Sequence, residues 1–183
     1  MVDGLARVFV AVPLSTEARL GLESLLAGHE IPGRPVPPDN WHLTLRFLGP
    51  VDEVTYERFL AALDSMDLGP VFDLRLSALG AFPNPRRATV LWAGLGSGEG
   101  ELASVAVLAE EAAQDAGLEP EDRPFRAHLT LSRIRPQVDI SELLAAVGEV
   151  DIAWRCDTVV VYRSHLGKGG ARYEALETFH LSR

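Results

Sequence analysis

The tetrapeptide His-Leu-Thr-Leu occurs at residues 42–45 and again at 128–131, and this repeat constrains the fold more than any other feature of the 183-residue chain. Each copy alternates polar and apolar side chains, the pattern of a half-buried strand. Alternate residues of a strand face the same way. His42 and Thr44 therefore share one face, and so do His128 and Thr130, while Leu43, Leu45, Leu129 and Leu131 anchor the strands behind. The copies lie 86 residues apart, close to half the chain length, with no linker of flexible composition between them. Two related halves in one globule are expected, so that residues 1–183 form a single domain. With five His and seven Thr in the chain, chance predicts about 0.2 His-x-Thr matches. Two copies with identical apolar partners point to function, not to two strands whose polar side chains merely meet water.

The rest of the chain interleaves helices with strand pairs, which predicts an α/β (α+β) architecture. Arg7-Val-Phe-Val-Ala-Val12 reads as a buried strand, and Ser15 offers an N-cap to a helix running to about Gly28. The proline-rich stretch 31–40 cannot continue a helix and reads as a loop. A strand from Trp41 is expected to end at Gly49-Pro50, with a helix over about 52–66 after it. Strands follow at 71–79 and 88–93, and the clearest helix spans 101–116, with Leu102, Val105, Ala109, Ala112 and Ala116 inward and Gly117 as the stop. A strand at 127–133, a short helix near 139–147 and strands near 152–163 and 172–180 complete the pattern.

Charge narrows the function. The chain carries 17 Lys plus Arg against 26 Asp plus Glu, a net charge of -9, and its only lysine is Lys168. That excludes a general nucleic-acid coat. The charge is nevertheless uneven: 99–122 holds eight acids and no base, whereas 123–135 holds Arg123, Arg126, Arg133 and Arg135 and no acid. A single cysteine, Cys156, excludes a disulfide framework within the chain. The apolar run Val8–Val12 is too short for a signal peptide or a membrane helix, so a cytoplasmic location and no membrane partner are expected.

Two imidazoles on paired strands suit acid-base chemistry, since a pKa of about 6.5 lets one ring be neutral while the other is protonated. Thr44 and Thr130 can hydrogen-bond a tetrahedral anion between them, and phosphate fits that description better than a planar carboxylate. The arginines beside the second copy suit a phosphodiester. Strict alternation puts Arg46 on the His42 face, but puts Ser132, not Arg133, on the His128 face. A role for Arg133 requires the strand to end or twist by then.

The doubled motif resembles the HxTx signatures of the two-histidine (2H) phosphoesterase superfamily, and within it the RNA 2′,3′-cyclic phosphodiesterase (2′-5′ RNA ligase) family. The resemblance extends over Arg7-Val-Phe-Val-Ala-Val12, Asn40-Trp-His-Leu-Thr-Leu-Arg-Phe-Leu-Gly49, Arg123-Pro-Phe-Arg-Ala-His-Leu-Thr-Leu-Ser-Arg133 and the segment Tyr162–Tyr173. It implies a bilobal fold with pseudo-two-fold symmetry, antiparallel-rich sheets lining a central cleft and helices outside. It also implies that His42 is the proton donor and His128 the proton acceptor in hydrolysis of an RNA terminal 2′,3′-cyclic phosphodiester to a 2′-phosphomonoester. Thr44, Thr130 and Arg133 would hold the phosphate, and no metal or other cofactor is expected. Arg46, Phe47, Arg126 and Tyr173 are candidate substrate contacts. The expected partners are RNA ends bearing the cyclic phosphate, tRNA fragments among them, met by a monomer. ATP-independent 2′-5′ ligation would be a side activity in vitro. Two alternatives stand beside this reading: a phosphodiesterase for a small nucleotide or ADP-ribose cyclic phosphate, and a non-catalytic module that binds RNA ends.

Other features carry less. Gly94–Gly100 lacks the Gly-Lys-Ser/Thr of a phosphate loop and reads as a flexible turn. His165 and Lys168 read as a solvated hairpin tip, and His29 and His180 as ordinary surface or packing residues. Cys156, Trp41, Trp92 and Trp154 read as core.

Overall fold

Residues 5–168 and 170–182 are described by the computed structural model, with side chains described from Arg7. The chain runs β1 (Leu5–Pro13), α1 (Thr16–Leu26), β2 (Arg34–Pro35), β3 (His42–Val51), α2 (Glu53–Asp64), β4 (Phe72–Phe82), β5 (Ala88–Ser97), α3 (Glu99–Asp115), β6 (Leu129–Val138), α4 (Ser141–Val147), β7 (Glu149–Cys156), β8 (Thr158–Gly167) and β9 (Gly170–His180).

The helices start and stop where side chains can satisfy their ends. Ser15 Oγ accepts from the Ala18 N–H at 3.1 Å to open α1, and Asp52 Oδ1 accepts from the Thr55 N–H at 2.7 Å to open α2. Gly117 leaves α3 in the left-handed region, at φ 92°. Each helix buries one stripe: Ala18, Leu22 and Leu26 in α1, Phe59 and Leu63 in α2, and a row of alanines with Leu102 and Val105 in α3. Fully buried Leu22 and Phe59 each contribute about 1.5–3 kcal/mol of apolar burial.

Nine strands among the described residues join in one antiparallel sheet, ordered β7-β4-β5-β6-β3-β1-β8-β9, with β2 paired to β6. Its middle is thin. β3 and β6 meet through a single pairing, Leu43 with Leu129, while the ladders on either side are long. The seam divides the sheet into two lobes, β3-β1-β8-β9 and β6-β5-β4-β7, each with its His-Leu-Thr-Leu strand innermost. This is the pseudo-symmetric α+β architecture that the repeat predicts.

The lobes are not successive halves of the chain. β8 and β9 return to complete the lobe that β1 and β3 begin. Helices cross over as well: α1 follows β1 yet packs on β7, and α3 follows β5 yet packs on β3 and α2. Trp154 on β7 adds a tie by donating from Nε1 to the Pro13 carbonyl at 3.2 Å. With each lobe covered by a helix from the other, thermal unfolding is expected to be one cooperative transition. Two separated calorimetric transitions would show that the lobes are independent domains.

Several strand limits differ from the sequence expectation. β3 continues through Gly49 and Pro50, because Gly49 at φ 74° opposite Val8 marks an irregular ladder and Pro50 is exposed. The predicted strand 152–163 divides at Asp157 into β7 and β8, which lie in different lobes. Their patterns differ accordingly: β7 alternates, while Val159–Val161 of β8 is buried throughout. β6 extends to Val138, past the predicted end at 133. β5 runs on through Gly94 and Gly96, where a turn was expected, because the Trp92 indole lies against Gly80 and Gly94 and a Cβ at either would collide with the ring. Trp92 is consequently only partly buried and belongs to the cleft side, unlike Trp41 and Trp154, which are core. Among the described residues no helix is long and apolar enough to cross a membrane.

Candidate active site

The single Leu43–Leu129 pairing sets the two repeated strands side by side, with both leucines fully buried behind the sheet. The neighbours of each leucine consequently project from the opposite, concave face. His42, Thr44, His128, Thr130 and Arg133 line one cavity there, of about 110 Å³, with Phe47 and Tyr173 at its walls. A water's share of liquid volume is about 30 Å³, so the space suits a group of phosphoryl size, not a whole nucleotide. Wider grooves adjoin it on either side, of about 280 Å³ and about 530 Å³.

Both rings are held in the same way. His42 Nδ1 lies 2.7 Å from the Asn40 carbonyl, and His128 Nδ1 lies 2.8 Å from the Arg126 carbonyl. A carbonyl can only accept, so Nδ1 carries the proton in each ring and Nε2 is left as the atom that gains or loses one. His42 Nε2 is 2.9 Å from Thr44 Oγ1. Asn40 is fixed in turn by its side-chain Nδ2, which donates to the Ala171 carbonyl at 2.6 Å.

A β-bulge follows the threonine in each strand. Ala11 pairs with Thr44 but Val10 with Arg46, and Trp92 pairs with Thr130 but Leu91 with Ser132, so Leu45 and Leu131 are the extra residues. Each bulge reverses the alternation beyond it. Phe47 and Arg133, five residues after their histidines, therefore face the cleft, and Arg46 and Ser132 turn away. This supplies the change of facing that Arg133 requires, while Arg46 lines the wider groove beside His128 and not the phosphate cavity. The Arg46 guanidinium pairs with Glu110 of α3 and donates to the Glu119 carbonyl at 2.6 Å, so its charge is met within the protein. Ser132 Oγ donates to the Pro32 carbonyl at 2.6 Å. Arg126 lines the 530 Å³ groove beside His128.

Aromatic rings surround His42: Phe9 and Tyr173 lie 4.9 and 5.2 Å away between centroids. Burial pushes the His42 pKa below the ordinary imidazole value, the Asn40 hydrogen bond opposes that in part, and the nearby His128 and Arg133 lower it further. A bound phosphate would act in the opposite sense. The folded protein thus binds fewer protons at His42 than the unfolded chain does, so His42 lowers stability as pH falls from about 6.5 through its depressed pKa. Denaturant titrations from about pH 7.5 to pH 5 should show a shallower loss for His42→Asn than for the wild type. Equal slopes would mean the ring is not held neutral.

The sequence reading missed Phe9, Phe82 and Asn40. Phe82 meets the His128 ring edge-on at 5.4 Å. Phe9 was hidden in an apolar strand, and Asn40 acts on His42 through its carbonyl, which no residue type announces. His165 lies outside the cavity, bonded to Glu174 at 2.6 Å. Cys156 is buried, and burial pushes its thiol up to about 12, consistent with an inert packing residue.

A two-lobed sheet with an imidazole and a hydroxyl from each lobe facing one phosphate-sized cavity is the arrangement of a two-histidine phosphoesterase. The family model for LigT-like phosphoesterases matches residues 12–92 and 96–173, and the chain belongs to that family. The RNA 2′,3′-cyclic phosphodiesterase of Aeropyrum pernix is 32% identical over 85% of this chain and 90% of its own. The enzyme of the same name from Escherichia coli is 31% identical over 96% of this chain and 97% of its own. The crystal structure of E. coli LigT complexed with 3′-AMP superposes with a TM-score of 0.84 at 27% identity, covering 99% of this chain and all of that one (100%).

Proposed function

We propose that the protein hydrolyses the 2′,3′-cyclic phosphodiester at RNA ends to a 2′-phosphomonoester, with His128 as general base and His42 as general acid. The observation that carries this reading is the pair of imidazoles pinned alike through Nδ1 beside a single phosphate-sized cavity. Water bound at His128 Nε2 loses its proton to that nitrogen as its oxygen bonds to phosphorus. The bond from phosphorus to the ribose 3′ oxygen breaks in line, and His42 Nε2 delivers the proton that this oxygen takes up. The anionic phosphodiester favours the protonated form of His42 and so offsets the depression caused by burial. Thr44, Thr130 and Arg133 hold the non-bridging oxygens, where charge grows in the transition state.

The names of the relatives support this substrate. Strain in the five-membered ring and the two proton carriers leave no step that calls for a metal or nucleotide cofactor. An alcohol in the water's position, the 5′ hydroxyl of a second RNA, would undergo the same displacement, with the P–O3′ bond breaking, and form a 2′-5′ linkage without ATP. Cytoplasmic RNA fragments, those of tRNA among them, are the proposed substrates of a monomeric enzyme.

The test is incubation with an RNA ending in a 2′,3′-cyclic phosphate, in EDTA, followed by identification of the end. A 2′-phosphate is expected. No turnover would remove this function, and a 3′-phosphate would reverse the assignment of the leaving oxygen.

A further inference from the structure

The groove of about 280 Å³ on the His42 side of the cavity has no assigned role. It shares His42, Phe47, Arg133 and Tyr173 with the phosphate cavity and extends from them to Arg7 and Ser164. Its volume is close to the lower limit of ligand pockets, about 300 Å³, and matches one nucleoside. We infer that this groove holds the terminal nucleoside and that Arg7, at its far end, binds the phosphodiester that links this nucleoside to the preceding one. The inference rests on the proposed chemistry, because the acid that protonates the departing ribose oxygen must have the ribose, and the RNA attached to it, on its own side.

Two independent observations single out Arg7. The first is backbone geometry. Arg7 sits at φ 61°, a region that L side chains other than Asn and Asp rarely enter. The register of β1 against β3 slips between Leu5 and Val8 and again between Val8 and Phe9. Bulges of this kind re-aim a side chain beside an active site, and strained backbone persists where the surroundings enforce it. Here the effect is to place an arginine at the groove, off the regular ladder of β1.

The second observation is charge. The 530 Å³ groove on the His128 side is lined by Glu121, and two of its three arginines, Arg123 and Arg46, are paired with Glu121 and Glu110, leaving only Arg126 without a carboxylate partner among the described residues. The 280 Å³ groove is lined by no acid, and among the described residues neither Arg7 nor Arg133 pairs with a carboxylate. Two arginines that pair with no carboxylate among the described residues, one shared with the phosphate cavity and one lining only the nucleoside-sized groove, match two successive phosphates of an RNA end. Phe47, more than half exposed at 56% between them, offers a face to the base.

The experiment compares a nucleoside 2′,3′-cyclic phosphate with a dinucleotide ending in the same group. The wild type should turn over the dinucleotide with a kcat/KM about tenfold higher, equivalent to about 1.4 kcal/mol. Arg7→Asn, which tolerates the left-handed backbone, should remove that preference. Independently of any substitution, a neutral methylphosphonate in place of the internal phosphodiester should cost the wild type the same factor and cost Arg7→Asn nothing further. Calorimetric binding of a dinucleotide bearing the product 2′-phosphate should give the same pattern without turnover. Hydrolysis of the mononucleotide reports on the proposed activity, and the ratio between substrates reports on the groove. An unchanged ratio in Arg7→Asn, or a wild type indifferent to the methylphosphonate in both assays, would overturn the inference.

Discussion

Asparagine in place of either His42 or His128 is expected to lower kcat by about 10²–10⁴-fold, the usual contribution of a positioned acid or base. Asparagine keeps a polar side chain at the end of each strand face, so loss of activity will not be confounded with loss of the Leu43–Leu129 seam behind it. The double substitution should be scarcely worse than either single one, because the two rings serve one displacement and their losses do not multiply. Single-turnover measurements on a cyclic-phosphate RNA would establish this, and a variant retaining wild-type turnover would remove that histidine from catalysis. kcat/KM should follow a bell in pH, since the productive state has one ring protonated and the other neutral. The limbs belong to the coupled pair and not to either residue. A flat profile between about pH 5 and pH 8 would contradict two-histidine catalysis.

Arg133→Met is expected to reduce kcat/KM by about 10²-fold, the scale for losing one donor to a developing oxyanion. The substitution carries a second signature. Arg133 is among the charges that lower the His42 pKa, so its removal should move the titration of the His42 ring to higher pH, followed by NMR of the ring protons. A variant that lost activity with no movement of His42 would place the guanidinium farther from the ring than the shared cavity requires. Arg133→Lys should recover part of the activity by restoring charge without the planar fork.

Most of the fold was legible because its elements are local. Ser15 and Asp52 announce their helices, the alanine stripe of α3 shows its buried face, and the repeated tetrapeptide shows the pseudo-symmetry. The pairing of β8 with β1, with β9 beyond it, and the exchange of α1 and α3 between lobes, were not legible, because apolar strands and amphipathic helices do not say which partner they bury against. In the site, the His and Thr positions follow from alternation, and alternation failed at one point in each strand. The bulges at Leu45 and Leu131 insert one residue each, and they leave no trace in polarity because each leucine lies between two polar residues, Thr44 and Arg46 or Thr130 and Ser132, just as strict alternation would have it. Alternation alone would exchange the facings of Arg46 and Arg133 for that one reason.

The return of the last two strands to the first lobe has a consequence for synthesis. A ribosome that has released residues up to Asp157 has supplied both histidines, yet β1 still has an open edge and His42 lacks the wall that Tyr173 of β9 provides. The nascent chain thus holds the proposed acid and base without the full aromatic cage around His42. On the proposed mechanism, the wall beside His42 is completed only when β9 has been synthesised.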